Sequence, residues 1–145
     1  VYGVSQGGVF KSTDGGKSWS AANDGLTRLD ISTLVIDPAA PDTLYVGTIG
    51  GVHKSTNGGE SWNEANVGLG VSGVKAMVID SVTPGTLYAA LRGGLWFKST
   101  DGAESWSAIH TDLTVPFVSI LALDPRVPDI LYVGTLGGGV YLFSR

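Results

Sequence analysis

Cysteine is absent from the 145 residues, so neither a disulfide nor a thiolate metal site can form, and the redox compartment leaves no trace. Charge is scarce as well. Only 15% of residues are charged, and 13 acidic side chains outnumber 9 basic ones, giving a net charge of −4. The basic residues are scattered, which argues against the clustered cationic surface that nucleic-acid phosphates require. Long hydrophobic runs are missing. Stretches such as "AMVI" and "ILAL" fall far short of the roughly 20 apolar residues of a membrane helix, so membrane insertion is not expected. No signal-peptide pattern and no Asn-x-Ser/Thr acceptor occurs; the start at Val1 rather than Met is compatible with removal of an upstream leader.

What the chain has in quantity is apolar residues and turn formers. Hydrophobic residues make up 43%, with 22 Gly and 6 Pro. The length suits one domain with a core of its own. The composition favours many short strands joined by turns.

One phrase occurs three times: "KSTDGGKSW" from Lys11, "KSTNGGESW" from Lys54 and "KSTDGAESW" from Lys98. Ser12, Ser55 and Ser99 lie 43 and 44 residues apart, as do Trp19, Trp62 and Trp106. Asp37, Asp80 and Asp124 keep the same step, as do Pro41, Pro84 and Pro128, and Tyr45, Tyr88 and Tyr132, with Tyr2 one period earlier. Several unrelated residue types holding one spacing define a repeat.

Each unit holds four strand-like pieces. "ISTLVID" (31–37), "VKAMVID" (74–80) and "VSILALD" (118–124) are nearly continuous apolar runs, as in strands buried on both faces. A Pro-bearing turn follows, then "TLYVGT" (43–48), a Gly-Gly turn and "GVHKS" (51–55). The repeated phrase then reverses the chain into a fourth short strand. Four strands per 40–45 residues is the form of a β-propeller blade. The predicted fold is all-β, a propeller of four-stranded antiparallel blades, about 3.5 per chain. The 1–145 span is one module: a partial blade 1–23, full blades 31–66 and 74–109, and a partial blade 118–143.

Ser-x-Asp-x-Gly-x-Ser-Trp, read at 12–19, resembles the Asp-box of BNR-repeat propellers. Its members here are Ser12, Asp14, Gly16 and Trp19; Ser55, Asn57, Gly59 and Trp62; and Ser99, Asp101 and Trp106, with Ala103 in place of the last Gly. The wider unit is similar to repeats of photosystem II assembly factor-like proteins and family 74 xyloglucanases, and more distantly to sialidases and sortilins. That resemblance implies a propeller and slightly favours an extracellular or periplasmic setting. It leaves function open, since the repeat serves enzymes, receptors and assembly factors alike.

No catalytic constellation stands out. The acids of the repeated phrase occupy equivalent places on different blades, so they cannot converge on one substrate; Asp14, Asn57 and Asp101 are expected to brace their turns. Asp37, Asp80 and Asp124 end the innermost strands, nearer to where propeller ligands bind, but two of the three are followed by Pro, and an Asp-Pro turn is a sufficient reason for them. A sialidase needs an arginine cluster, a tyrosine nucleophile and an acid/base carboxylate. Arg28, Arg92, Arg126 and Arg145 hold no matching repeat positions, and Tyr2, Tyr45, Tyr88 and Tyr132 are one strand position. A glycosidase needs two placed carboxylates, and no motif marks them. His53 replaces Phe10 and Phe97, and His110 stands in the place of Asn23 and Asn66; neither belongs to a metal cluster. "GGG" at 137–139 is a hairpin turn rather than a phosphate cradle.

Departures from the repeat carry more information. "GGLWFKS" has one residue more than "GGVFKS", which makes Trp96 an insertion and predicts a bulge. Arg92 stands just before it, and Lys75 and Met77 replace Ser32 and Leu34. An exposed Trp96 beside Arg92 would stack on sugar or protein; the competing reading is a buried aromatic. The chain is therefore expected to be a non-catalytic binding or scaffolding module without cofactor or metal, for a carbohydrate or protein ligand. The alternatives are a fragment or subunit of a glycoside hydrolase, or an assembly-factor-like binder of a polypeptide.

The end blades raise the question of closure. The first lacks an innermost strand and the last an outermost one, and Phe10, Trp19, Ile120 and Leu131 are candidates for apolar faces left open. Self-association into a dimer that closes one ring is expected, unless the chain is part of a longer propeller or closes on itself as four blades.

Overall fold

The computed structural model describes residues 1–70, 72–109, 117–127 and 129–144; His110, Pro128 and Arg145 lie outside them. Four antiparallel sheets follow one another along the chain. The first joins β1 (Tyr2–Ser5), β2 (Gly8–Lys11) and β3 (Ser20–Ala21). The second runs β4 (Ile31–Ile36), β5 (Leu44–Thr48), β6 (Gly51–Ser55) and β7 (Asn63–Glu64). The third repeats that order with β8 (Val74–Ile79), β9 (Leu87–Leu91), β10 (Trp96–Ser99) and β11 (Ser107–Ile109). The fourth has β12 (Val118–Leu123), β13 (Ile130–Thr135) and β14 (Gly139–Ser144). β4, β8 and β12 stand side by side with β1 beside β4, and among the described residues no contact of comparable extent joins the first sheet to the fourth.

Three apolar clusters lie where consecutive sheets meet. Trp62 packs with Val9, Ile31, Leu44 and Val46 between the first and second sheets. Trp106 packs with Tyr45, Leu69, Met77 and Leu87 between the second and third. Each indole also reaches backward: Trp62 Nε1 donates to the Ala22 carbonyl and Trp106 Nε1 to the Ala65 carbonyl, both at 2.9 Å. An amphipathic ring thus buries its apolar body and keeps a partner for its N–H. Trp19 has no preceding sheet to enter. It is 46% exposed, and its Nε1 bonds its own Gly16 carbonyl instead.

The repeated phrase is a braced turn. Asp14 Oδ1 accepts from the Ser12 hydroxyl (2.8 Å) and from the Lys17 and Ser18 N–H groups (3.0 Å each), while Ser12 Oγ accepts from Gly16 N–H (2.8 Å). Asn57 reproduces the pattern, accepting from Ser61 N–H and donating through Nδ2 to the Ser61 hydroxyl (2.8 Å). In the third copy Ala103 takes the glycine's place with φ of 66°, a conformation that glycine adopts without cost. Asp37, Asp80 and Asp124 each accept N–H bonds from two residues just downstream, as Asx turns do.

Two expectations need correction. Trp96 does not form a bulge. It pairs with Ala90 in an unbroken register, as Val52 pairs with Gly47, and the extra residue enlarges the β9–β10 hairpin turn, where the Leu91 N–H bonds the Leu95 carbonyl. Leu131 is not on an open face either. The pleat turns it toward the third sheet, where it is fully buried with Tyr88 and Trp96. The bulges instead fall on the innermost strands, between Ile31 and Thr33, Val74 and Ala76, and Val118 and Ile120.

Candidate functional site

At the bulges the repeat places Ser32, Lys75 and Ser119. Ser32 Oγ lies 2.7 Å from the Val74 carbonyl and 3.0 Å from the Gly47 carbonyl, and Ser119 Oγ lies 3.2 Å from the Gly134 carbonyl. Lysine at the same point leaves the structural bond unmade and stands exposed. A bulge re-aims a side chain, and here the redirected side chain carries charge.

Arg92 comes from the enlarged hairpin. Its N–H donates to the Gly73 carbonyl (2.7 Å), and its carbonyl accepts from Ser72 Oγ (3.3 Å). Its stem lies over Gly73, where a Cβ would come within 3.0 Å of Arg92 Cδ and 3.1 Å of Nε. Glycine therefore supplies the flat floor on which the arginine rests.

Phe117 precedes β12, where the other repeats have Asp30 and Gly73. Its φ is 68°, the left-handed region that a bulky side chain rarely enters, and its ring is 70% exposed. Strain of this kind costs on the order of 1–3 kcal/mol. Its carbonyl holds the Leu136 N–H (3.0 Å), so the residue is tied to the fourth sheet.

These three residues meet. Lys75, Arg92 and Phe117 line one cleft of about 390 Å³ with Leu91, Gly93 and Val118. A second hollow of about 220 Å³ shares Lys75 and Arg92 and continues past Ile49 and Ser32 to Gln6 and Asp30. Both open at the end where the β5–β6 and β9–β10 hairpins and the starts of the innermost strands lie, opposite the repeated phrase. The aromatic neighbour of Arg92 is thus Phe117. Trp96 is only 5% exposed and packed against Val118, Leu121 and Val133, with its indole N–H unpartnered, so stacking on a ligand is closed to it. Met77 is buried between the second and third sheets.

The remaining candidates stay apart. His53 is buried, with Nε2 3.3 Å from Thr27 Oγ1 and Nδ1 without a partner; burial holds its pKa below the ordinary value, partly offset by Glu64. Among the described residues no group of three His, Asp or Glu could hold a metal, and no helix is long and apolar enough to cross a membrane. Grooves beside Glu60 and Glu104 are repeat equivalents of each other and belong to the architecture.

No protein-family model matches the sequence, and no curated protein matches it. By structure the chain is similar to an ancestral GH74 enzyme, with TM-score 0.82 and 23% identity over 98% of this chain and 21% of that one. It is also similar to the GH74 enzyme of Niastella koreensis, with TM-score 0.74 and 18% identity over 97% of this chain and 26% of that one. A third likeness is to YCF48 bound to D1 peptide, with TM-score 0.62 and 16% identity over 77% of this chain and 36% of that one. The chain thus spans between 21% and 36% of the length of these three proteins. At such identities the likeness is one of fold: this is an all-β propeller segment, of the architecture that the repeated unit implied.

Proposed function

We propose that this segment is a non-catalytic binding module whose ligand, a carbohydrate or a polypeptide, seats in the cleft of Lys75, Arg92 and Phe117. One observation carries the reading. Three independent departures from the repeat, at a bulge, a lengthened hairpin and a strained turn, converge on one cleft. Residues that every blade needs for folding would recur in each copy, and these do not. Concave sites with a few convergent polar groups are where ligands bind.

Hydrolysis is not favoured. A glycosidase mechanism needs an acid and a second carboxylate astride the bond, and Asp30 is the one carboxylate among the residues lining the two hollows. The chain is expected to leave sialosides and xyloglucan uncleaved; turnover that survives repurification and vanishes on changing one carboxylate would overturn this. Binding is tested by presenting a glycan panel and a displayed peptide library to the wild type, Arg92→Ala and Phe117→Ala. Selective capture should be lost in both variants. Capture that neither substitution weakens would place the ligand elsewhere.

A further inference from the structure

Resting on that reading of the cleft, we propose that its ligand is a uronate-bearing glycan, with the sugar carboxylate held by Arg92 and Lys75 and a ring face laid on Phe117. The charge comes first. Lys75 and Arg92 line the same two hollows, and neither forms an ion pair among the described residues, where the salt bridge formed is Lys54–Glu104. Two neighbouring cations repel, so a pair with no carboxylate partner among the described residues suits an anion from outside. Asp30, which shares the second hollow, lies within ion-pair distance of neither.

Shape narrows the anion. Arginine offers a planar fork that matches a carboxylate, and the Arg92 stem is laid over Gly73, so less freedom is lost on binding. Beside it the Phe117 ring gives an exposed apolar platform, and a Cβ at Gly93 would meet nothing within 4 Å, so one wall is bare backbone. A sugar ring offers a face of C–H groups to such a platform and an edge of hydroxyls and carboxylate to the cations. Continuation of the hollow past Ser32 and Gln6, which can bond hydroxyls, suits more than one ring in a row.

A polypeptide fits less well. Extended peptides gain affinity from main-chain hydrogen bonds to a free strand edge. Here the Arg92 N–H is already spent on the Gly73 carbonyl and the Leu136 N–H on the Phe117 carbonyl.

The test is calorimetric titration with four probes: an oligogalacturonate, its methyl ester, a neutral xyloglucan oligosaccharide and an oligoglutamate peptide. Oligogalacturonate should bind, more weakly as salt rises, and esterification should cost about tenfold or more, the scale of a charge-assisted bond. Arg92→Ala and Lys75→Ala should each cost about tenfold, with Arg92→Lys intermediate. Phe117→Gly supplies the control for folding: it should raise the melting temperature by relieving the φ of 68° while abolishing binding. Tighter binding of oligoglutamate, or equal binding of the ester, overturns the uronate assignment but leaves the cleft as the binding site. Silence from all four probes overturns the assignment as well, and the variant panel above then decides the cleft on its own.

Discussion

Asp14 and Asp101 carry a charge that Asn57 does without, although all three brace the same turn. Hydrogen bonds from the Ser105 hydroxyl and N–H and the Ser99 hydroxyl pull the Asp101 pKa down to about 2, and those from Ser18 and Ser12 put Asp14 lower still. A carboxylate whose folded pKa is depressed contributes stability that is complete above its unfolded value, near 4, and is lost as pH falls toward the folded one. The double variant Asp14→Asn/Asp101→Asn should therefore melt below the wild type at neutral pH and lose less stability between about pH 4 and 2, so that the two profiles converge in acid. Parallel acid profiles would show that these charges add nothing beyond the bonds. His53 acts in a different window. Burial lowers its pKa, so between that value and about 6.5 the unfolded chain binds the proton more readily, and stability falls as pH drops below about 6.5. Since Phe10 and Phe97 occupy the equivalent places, His53→Phe should fold and flatten the thermal profile on that side; an unchanged slope would clear His53 of the effect.

At the scale of elements, the tryptophans join sheet to sheet, and their worth depends on what lies behind them. Trp62→Ala should cost about 3–5 kcal/mol in denaturant melts, since it empties the seam between the first and second sheets and frees the Ala22 carbonyl. Trp19→Ala, at a half-exposed ring over Gly3, should cost much less; equal losses would refute the seam as the source. Strand order and the role of the repeated phrase were legible in the sequence because the period of 43 or 44 residues fixes both. The bulges were not. A bulge changes the count of residues on one strand against its partner, and the innermost runs are apolar on both faces, so no alternation is broken to betray it. Trp96 misled for a related reason. Counting showed one residue too many, but only the pairing with Ala90 shows that the turn absorbs it and that Trp96 fills the place of Val52. Phe117 could have been noticed as the aromatic at the place of Asp30 and Gly73, although its backbone strain has no sequence signal.

Among the described residues the row of four sheets leaves two end faces uncovered, and they differ. In the second and third sheets Tyr45 and Tyr88 are buried beneath the following sheet, whereas Tyr132 stays partly open with Ile120, Val140 and Leu142 on the same side of the fourth. Where that side carries Lys11, Lys54 and Lys98 over the tyrosine rings at 5.6–5.8 Å, the fourth sheet has Leu142, which is 61% exposed. A contiguous exposed apolar face tends to associate, and β14 also leaves one hydrogen-bonding edge uncovered among the described residues. We propose that the isolated chain pairs with a second copy, the fourth sheet of one meeting the exposed Trp19 side of the other, so that two equivalent junctions close one ring. Leu142→Lys, which restores the residue of the other three repeats, should shift the chain to single-copy mass in light scattering without lowering its melting temperature. Ile120→Lys should act in the same direction. A wild-type mass of 15.0 kDa in dilute solution would sink the pairing and leave the two faces to further blades of a longer propeller.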